Sequence, residues 1–248
     1  MDSLNAPPAD APASAQNQAS VWEDFMDIFY APAQVFRRRA GGNFWIPLMV
    51  VTLLMTVLAF ANRNVMLPIM DAEFARTAPA VLRANPNLTM EILQRGKNIG
   101  FLAALYGTVV LVPLMALVFA FIAWALAWLF DGRISWNAAM VIASYALVPR
   151  VVQGIVLSIQ GLLLDPAALV SRFSIEVGPG RFADPATVSP LMGALYDHSD
   201  LFVVWTTVLV TIGVATIGKI PKLRALAFGA AFWVATMSLA LYQAWKLT

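Results

Sequence analysis

The chain has 248 residues, of which 60 per cent are apolar and 12 per cent charged, and its net charge is +2. Ordinary soluble domains contain roughly 45–50 per cent apolar and about 25 per cent charged residues, so this composition predicts an integral membrane protein. The absence of cysteine and the presence of one histidine, His198, exclude disulfides, thiolate metal sites, thiol nucleophiles and histidine-rich metal sites within the chain.

The N-terminal segment 1–20 is rich in Ala, Pro, Asp, Gln and Ser and contains almost nothing large and apolar. Such a segment cannot bury enough apolar surface to offset the entropy lost on ordering, so we predict a disordered tail. It also lacks the basic start and apolar core of a signal peptide.

The next segment, 21–36, predicts an amphipathic helix. Its aromatic and apolar residues recur at helical spacing and its acidic residues lie on another face, until Pro32 ends or bends the helix. A basic cluster follows. In one interpretation the helix lies in the headgroup layer; in the other it packs on the helix bundle or on a partner. The candidate lipid headgroup contacts are Trp22, Arg37, Arg38 and Arg39.

Five charge-poor intervals predict the membrane spans. A helix needs about 20 apolar residues to cross roughly 30 Å of hydrocarbon, and each interval approaches or exceeds that length. We therefore predict an all-α integral membrane protein, with a bundle of five transmembrane helices and an N-terminal amphipathic interfacial helix within residues 21–248. The spans are expected at about 44–66, 100–130, 137–164, 201–218 and 225–245.

The positions of arginine and lysine predict the orientation. Basic residues at 37–39, at 133 and at 219–224 all fall on one side of a five-span chain, which the positive-inside rule makes cytoplasmic. The N-terminus is then cytoplasmic and the C-terminus lies on the opposite side. The connection 62–98, which carries five basic residues, departs from the rule. Within it we expect two helical stretches, the second capped by Thr89.

Several short patterns, taken in order, resemble a known family. They are the aromatic helix before Ala31-Pro32, the basic cluster, Trp45-Ile46-Pro47-Leu48, the run from Ser144 to Pro149, and Leu201-Phe202 followed by Trp205, Leu209 and Ile212-Gly213. Over about residues 22–245 this order is similar to the Yip (Ypt-interacting protein) family, in particular its bacterial members.

The resemblance implies a five-helix protein of the bacterial inner membrane, with a cytoplasmic N-terminus and a membrane-organising role. The association of the eukaryotic members with Rab GTPases and vesicle trafficking does not carry over, because bacteria lack that machinery. The resemblance implies no catalytic residues.

Arg150 lies near the middle of the third predicted span, where an arginine costs about 2.5–3.5 kcal/mol on insertion scales. Pro149 removes the helical donor to the carbonyl of Tyr145. Gln153 and Gln160 lie on roughly the same helical face as Arg150. The candidate intramembrane polar site therefore consists of Tyr145, Pro149, Arg150, Gln153 and Gln160.

Three interpretations of Arg150 remain open. Its guanidinium stabilises the bundle by binding carbonyls, it binds a lipid phosphate or anionic substrate, or it extends to an interface because the span is offset. A proton relay is not expected, because the predicted spans contain no carboxylate.

The spans contain no nucleophile–base pair and no metal pair, so we expect a protein that is not an enzyme and has no cofactor. The leading hypothesis is membrane organisation or scaffolding through helix and lipid contacts. The alternative is a small transporter, channel or lipid-handling protein that uses the site around Arg150. The expected partners are the lipid bilayer, other membrane proteins or a second copy of the chain, and nucleic-acid binding is not expected.

Overall fold

The computed structural model describes residues 20–245, so the predicted disordered tail lies outside the described residues except for Ser20. The described chain forms ten α-helices and three short 3-10 helices, and no β-strand. The α-helices are α1 (Val21–Tyr30), α2 (Pro32–Arg39), α3 (Trp45–Ala61), α4 (Arg63–Ala84), α5 (Met90–Leu129), α6 (Trp136–Ala146), α7 (Val148–Leu163), α8 (Pro190–His198), α9 (Leu201–Gly218) and α10 (Lys222–Trp245). The 3-10 helices are Pro166–Ala168, Arg172–Ile175 and Pro179–Phe182.

Three segments are long and apolar enough to cross a membrane: α5, α6 together with α7, and α9. A fourth candidate is the pair α3 and α4, which meet at a bend of 65°. Only 22 per cent of the most apolar window of α5 is buried, so this helix presents most of its apolar surface outward. An apolar surface of this extent requires lipid as its solvent. The protein is therefore an all-helical integral membrane protein.

The fifth predicted span, 225–245, lies within α10. This helix has 24 residues, which corresponds to about 36 Å at 1.5 Å per residue. The total of five spans stays a prediction.

Two of the predicted spans are interrupted helices. The first ends at Ala61, because the side chain of Asn62 turns away to donate to the carbonyl of Gly154 (2.9 Å), and α4 then leaves at an angle. The third is broken at Leu147, and Pro149 lies in the first turn of α7, where its missing N–H is harmless. The backbone N–H of Arg150 instead donates to the carbonyl of Leu147 (2.9 Å).

Thr89 accepts a hydrogen bond from the backbone N–H of Ile92 (3.2 Å), as expected for the cap of the second stretch in the connection 62–98. That stretch, however, continues without a break into the second predicted span, which was expected to begin at about residue 100, and the two form the longest helix, α5. Its 40 residues span about 60 Å, twice the roughly 30 Å thickness of the hydrocarbon layer. The first part of α5 therefore extends beyond the bundle, where Lys97 pairs with Asp71 of α4 (2.5 Å).

Small residues lie where α6 packs against α5 and α9. The buried face of α5 consists largely of alanines, which lie against α6, and every residue of α6 from Ala138 to Ala146 is buried. At Gly213 of α9, an added Cβ would lie 2.8 Å from Ile142, so only glycine allows this approach. Small residues let helix backbones come close where no hydrophobic effect drives association. The alanines on the buried face of α5 are Ala116, Ala120, Ala123 and Ala127.

The three basic connections lie at one end of the bundle, which we call the basic end. Asn137, at the start of α6, donates to the carbonyl of Gly42 (2.9 Å). Arg224 pairs with Asp131 (2.5 Å), which joins the start of α10 to the end of α5. The opposite end, where α9 begins, carries residues 165–200, and we call it the loop end.

Candidate functional site

The first polar cluster lies between α1, α2 and α6. Asp24 is fully buried, and its carboxylate accepts hydrogen bonds from Arg38, from Arg39 and from the hydroxyl of Tyr145 (3.0 Å). Arg38 also binds Asp27 (2.6 Å). Hydrogen bonds between ionised groups are about twice as strong as neutral ones, so these contacts fasten α1 and α2 to the bundle. We call Asp24, Asp27, Arg38, Arg39 and Tyr145 the N-terminal ion cluster.

The helices α1 and α2 form a hairpin that reaches far along the bundle. Val35 and Phe36 of α2 are fully buried, and α2 packs on α9 and α6. The ring of Phe29 lies 5.3 Å from the ring of Trp205, one turn into α9 from the loop end. The inner face of this hairpin therefore packs on the bundle, which is one of the two arrangements that its sequence allowed.

The predicted headgroup contacts divide into two groups. Trp22 is 69 per cent exposed, and Arg37 is also exposed. Arg38 and Arg39, in contrast, turn toward the carboxylates of α1. Lipid headgroup contact by these four residues stays a proposal.

The second polar cluster is centred on Arg150. Its Nη1 donates to Gln153 (2.9 Å), and Gln153 donates to Asp200 (3.3 Å). Asp200 precedes α9 and accepts hydrogen bonds from the backbone N–H groups of Phe202 and Val177, both at 2.9 Å. This chain of contacts ties α7 to α9 and to the connection 165–200.

The structure does not bring the five residues of the predicted polar site together. Arg150 and Gln153 lie together, whereas Tyr145 belongs to the N-terminal ion cluster. Gln160 lies further along α7, where its amide donates to the carbonyl of Ile175 (2.9 Å) and accepts from Arg181 (3.0 Å). Pro149 contributes through the helix break that places Arg150 in the first turn of α7.

Arg150 is linked to the loop end of the bundle. Gln153, one turn further along α7, reaches Asp200, the residue at which α9 begins. Residues 165–200 cover this end and bring Arg172, Glu176 and Asp197 toward Arg150. The three interpretations of Arg150 stay open, because these contacts tie α7 to α9 and also leave Nε of Arg150 without an acceptor within residues 20–245.

A cavity of about 460 Å³ adjoins Arg150, and we call it the Arg150 cavity. Its polar wall comes from α7 and the connection 165–200, and its apolar wall from α3, α4 and α7. Binding sites for small molecules typically occupy about 300–1,000 Å³ and combine apolar walls with a few polar groups. The polar wall includes Arg150, Gln153, Arg172, Glu176, Asp197 and Asp200; the apolar wall includes Met55, Leu58, Ala59, Met66, Val156 and Leu157.

Two groups on the polar wall lack partners within residues 20–245. The Nε atom of Arg150 and both carboxylate oxygens of Glu176 are buried and have no hydrogen-bond partner there. The Glu176 residue is only 8 per cent exposed. Burial, followed by the nearby carboxylates of Asp197 and Asp200, raises the pKa of Glu176 from 4.5 to about 7, and Arg172 opposes this shift. Buried polar groups almost always have partners, so these atoms have hydrogen-bonding capacity that residues 20–245 leave unused.

Sequence reasoning missed Glu176, Asp197 and Asp200 as members of this site. Asp200 carried a local signal, because an aspartate directly before an apolar run is typical of a helix N-cap. Glu176 carried none, since its burial depends on the fold of the connection 165–200.

Groups of acidic or histidine side chains that could hold a metal ion do not occur among the residues that the structure describes. The unpartnered atoms of the Arg150 cavity are a guanidinium nitrogen and a single carboxylate. Such a pair suits an ionic organic ligand better than a metal ion, which needs several oxygen, nitrogen or sulfur ligands around one point.

A sequence profile of the Yip1 domain matches residues 26–243, which is most of the chain. The chain belongs to the Yip1 family. No curated protein and no solved structure gives a significant match. The resemblance drawn from the short patterns is thereby confirmed, and the Yip1 match agrees with the apolar helices in assigning the protein to a membrane. The Yip1 family is not known as an enzyme family.

Proposed function

We propose that this Yip1-family protein is a non-enzymatic membrane protein that binds the phosphate of a lipid headgroup in the Arg150 cavity and organises the surrounding bilayer through that contact. The observation that carries the proposal is the buried Nε atom of Arg150, which has no acceptor within residues 20–245 and lies beside a cavity of about 460 Å³. An arginine presents its donors in a planar fork that matches phosphate oxygens.

The position of the cavity supports a lipid rather than a soluble ligand. The cavity lies at the loop end, the level at which the headgroup of a membrane lipid would lie if the bundle crosses the bilayer. Met55, Leu58 and Leu157 form an apolar wall beside Arg150, and this wall suits the glycerol and the first methylenes of an acyl chain.

Five crossings complete the proposed architecture. We propose that α3, α5, the pair α6–α7, α9 and α10 each cross from one end of the bundle to the other. For α10, Arg224 pairs with Asp131 at the basic end, whereas Trp233 donates to the carbonyl of His198 near the loop end (3.0 Å). The positive-inside rule then makes the basic end cytoplasmic, and we propose the inner membrane of a bacterium.

The shape of the cavity argues against a channel. None of the described residues that line it belongs to α6, whose residues from Ala138 to Ala146 are all buried. The lining of the cavity therefore does not extend to the helix that begins at the basic end. A pocket confined to one end of the bundle is suited to binding a lipid, which is the lipid-handling part of the alternative hypothesis, and it is compatible with a scaffold that uses lipid contacts.

The test compares Arg150→Gln with Arg83→Gln, which removes an exposed arginine of α4. Purified full-length protein would be titrated with phospholipids in detergent, and binding followed by native mass spectrometry. A hydrogen bond to a charged group contributes about 1.5–3 kcal/mol, so we expect R150Q to weaken lipid binding roughly 10- to 100-fold and R83Q to leave it unchanged. Equal lipid binding by both variants would contradict the proposal.

A further inference from the structure

The proposed function explains Arg150 but not Glu176. An ionised carboxylate accepts hydrogen bonds but cannot donate them. Both carboxylate oxygens of Glu176 are buried in the wall of the cavity, and no group within residues 20–245 donates to them. A ligand that carries phosphate alone would place a second negative charge near this carboxylate. A ligand that satisfies both groups presents hydrogen-bond donors to Glu176, and a positive charge on those donors matches the ionised carboxylate.

The remaining charged groups of the polar wall are already engaged. Arg172 pairs with Asp197 at 2.8 Å, and Asp200 accepts hydrogen bonds from two backbone N–H groups and from Gln153. Within the described part of the chain, Arg150 and Glu176 are thus the residues of this wall whose buried side-chain atoms lack a partner. One offers a donor and the other offers acceptors.

From this pairing we infer that the Arg150 cavity binds a phosphate ester that also carries a primary ammonium group, with the phosphate on Arg150 and the ammonium on Glu176. The inference rests on the proposed function and names its ligand class. The headgroup of phosphatidylethanolamine has this chemistry, and so does free phosphoethanolamine.

The lining of the cavity distinguishes a primary ammonium from a quaternary one. A trimethylated nitrogen has no N–H to donate to Glu176, and proteins usually bind it in a cage of aromatic rings. Phe202 is the one aromatic residue among the described residues that line the cavity. A primary ammonium, in contrast, has three donors for the two oxygens of Glu176.

The backbone of Gly180 lies directly against the carboxylate of Glu176. Gly180 lies so close that an added Cβ would be 1.7 Å from Oε2 of Glu176, and 3.0 Å from the ring of Phe173. A side chain at position 180 would therefore displace the carboxylate without removing it. This contact provides a second variant that disturbs the site and retains its charge.

The electrostatic surroundings of Glu176 are consistent with a bound cation. Burial, and after it the carboxylates of Asp197 and Asp200, raises the pKa of Glu176, and Arg172 opposes this shift. A ligand ammonium beside Glu176 would stabilise its ionised form and relieve the repulsion from the two aspartates.

The experiment offers phosphatidylethanolamine, phosphatidylglycerol and phosphatidylcholine, with identical acyl chains, to the full-length protein in detergent. Native mass spectrometry measures the affinity for each lipid. We expect the affinity for the ethanolamine lipid to be at least roughly ten times that for either of the other two lipids. This ratio is expected from one additional charge-assisted hydrogen bond. Equal affinities for the three lipids would overturn the inference.

Two variants test whether a preference for the ethanolamine lipid depends on Glu176. Glu176→Gln and Gly180→Ala should each reduce the affinity for the ethanolamine lipid to that of the glycerol lipid, whereas the control Glu91→Gln, at an exposed site on α5, should retain the preference. A preference that survives both E176Q and G180A overturns the inference.

The outcomes separate this inference from the proposed function. If R150Q weakens the binding of all three lipids but the wild type binds them with equal affinity, the proposed function is supported and the inferred ligand class is wrong. A further arm adds free phosphoethanolamine, with inorganic phosphate as its control. Competition by the free ester together with lipid binding supports both proposals. Binding of the free ester without any lipid binding supports the ligand class and overturns the lipid as its source.

Discussion

The N-terminal ion cluster and the Arg150 cavity use similar side chains in opposite ways. In the first, one buried carboxylate receives hydrogen bonds from two arginines and a tyrosine, and Asp24 has a donor on each oxygen. In the second, a buried carboxylate and a buried arginine nitrogen have no partner within residues 20–245. A saturated cluster holds helices together, whereas an unsaturated one is available to a ligand.

The difference arises from what surrounds each cluster. The N-terminal ion cluster is enclosed by α1, α2 and α6, and aromatic contacts extend the packing from Phe25 to Tyr145. The Arg150 cavity is bordered by short 3-10 turns, which leave about 460 Å³ open. The comparison indicates that a buried charge is not evidence of function by itself. Its unmatched hydrogen-bonding capacity is the informative property.

The largest effect expected from this comparison is the loss of stability in Asp24→Asn. The substitution keeps the volume of the side chain but removes the negative charge between Arg38 and Arg39. Breaking a buried ion pair by removing one partner costs about 3–5 kcal/mol, so thermal unfolding in detergent should shift far downward. The control is Asp131→Asn, which removes an exposed ion pair at the basic end of the bundle. Equal shifts in D24N and D131N would show that the cluster does not hold the hairpin.

Tyr145→Phe should have the next largest effect, because it removes one donor to the same carboxylate. A hydrogen bond to a charged group contributes about 1.5–3 kcal/mol, and the ring of Tyr145 would remain packed on Phe25. Thermal unfolding again measures the change. Tyr106→Phe serves as the control, since Tyr106 is exposed on α5 and should tolerate the loss of its hydroxyl. A negligible effect of Y145F would mean that the arginines alone satisfy Asp24.

Glu176→Gln should change stability by an amount that depends on pH. Because burial raises the pKa of Glu176 from 4.5 to about 7, the native state binds this proton more tightly than the unfolded chain does. The stability that this group contributes is complete below about pH 4.5 and is lost as the pH rises to about 7. In the absence of lipid, the melting temperature of the wild type should therefore fall relative to that of E176Q between about pH 5 and about pH 8. A constant difference between the two curves would contradict the buried state of this carboxyl.

The sequence predicted the features of the fold that depend on local patterns. The charge-poor intervals correspond closely to the long helices. A charged side chain is costly in an apolar environment, so the length of each charge-poor interval can be read without knowing how the helices pack. The cap at Thr89 was predictable for the same reason, since it involves Ile92 only three residues away. The breaks at Asn62 and Leu147 were not, because at Asn62 the deciding contact is with Gly154, 92 residues further along the chain.

The candidate site was only partly predictable. Arg150 stood out because an arginine within an apolar run is rare, and Gln153 followed from helical spacing. The partner of Tyr145 is Asp24, 121 residues earlier, and no sequence pattern connects them. The ion pair of Asp24 with Arg38 could have been expected, because α1 and α2 are adjacent and carry opposite charges.

The smallest effect should be that of Asp27→Asn, although Asp27 binds the same arginine as Asp24. The side chain of Asp27 is 40 per cent exposed, and in the variant Arg38 would keep both of its hydrogen bonds to Asp24. Ion pairs that water can reach contribute about 0–1 kcal/mol, so D27N should unfold almost as the wild type does. Arg38 binds both aspartates, so the difference in thermal stability between D27N and D24N measures how much more the buried carboxylate contributes than the exposed one. A large loss of stability in D27N would show that the hairpin depends on its exposed charges as well, and the contrast between a saturated buried cluster and an open cavity would then be too simple.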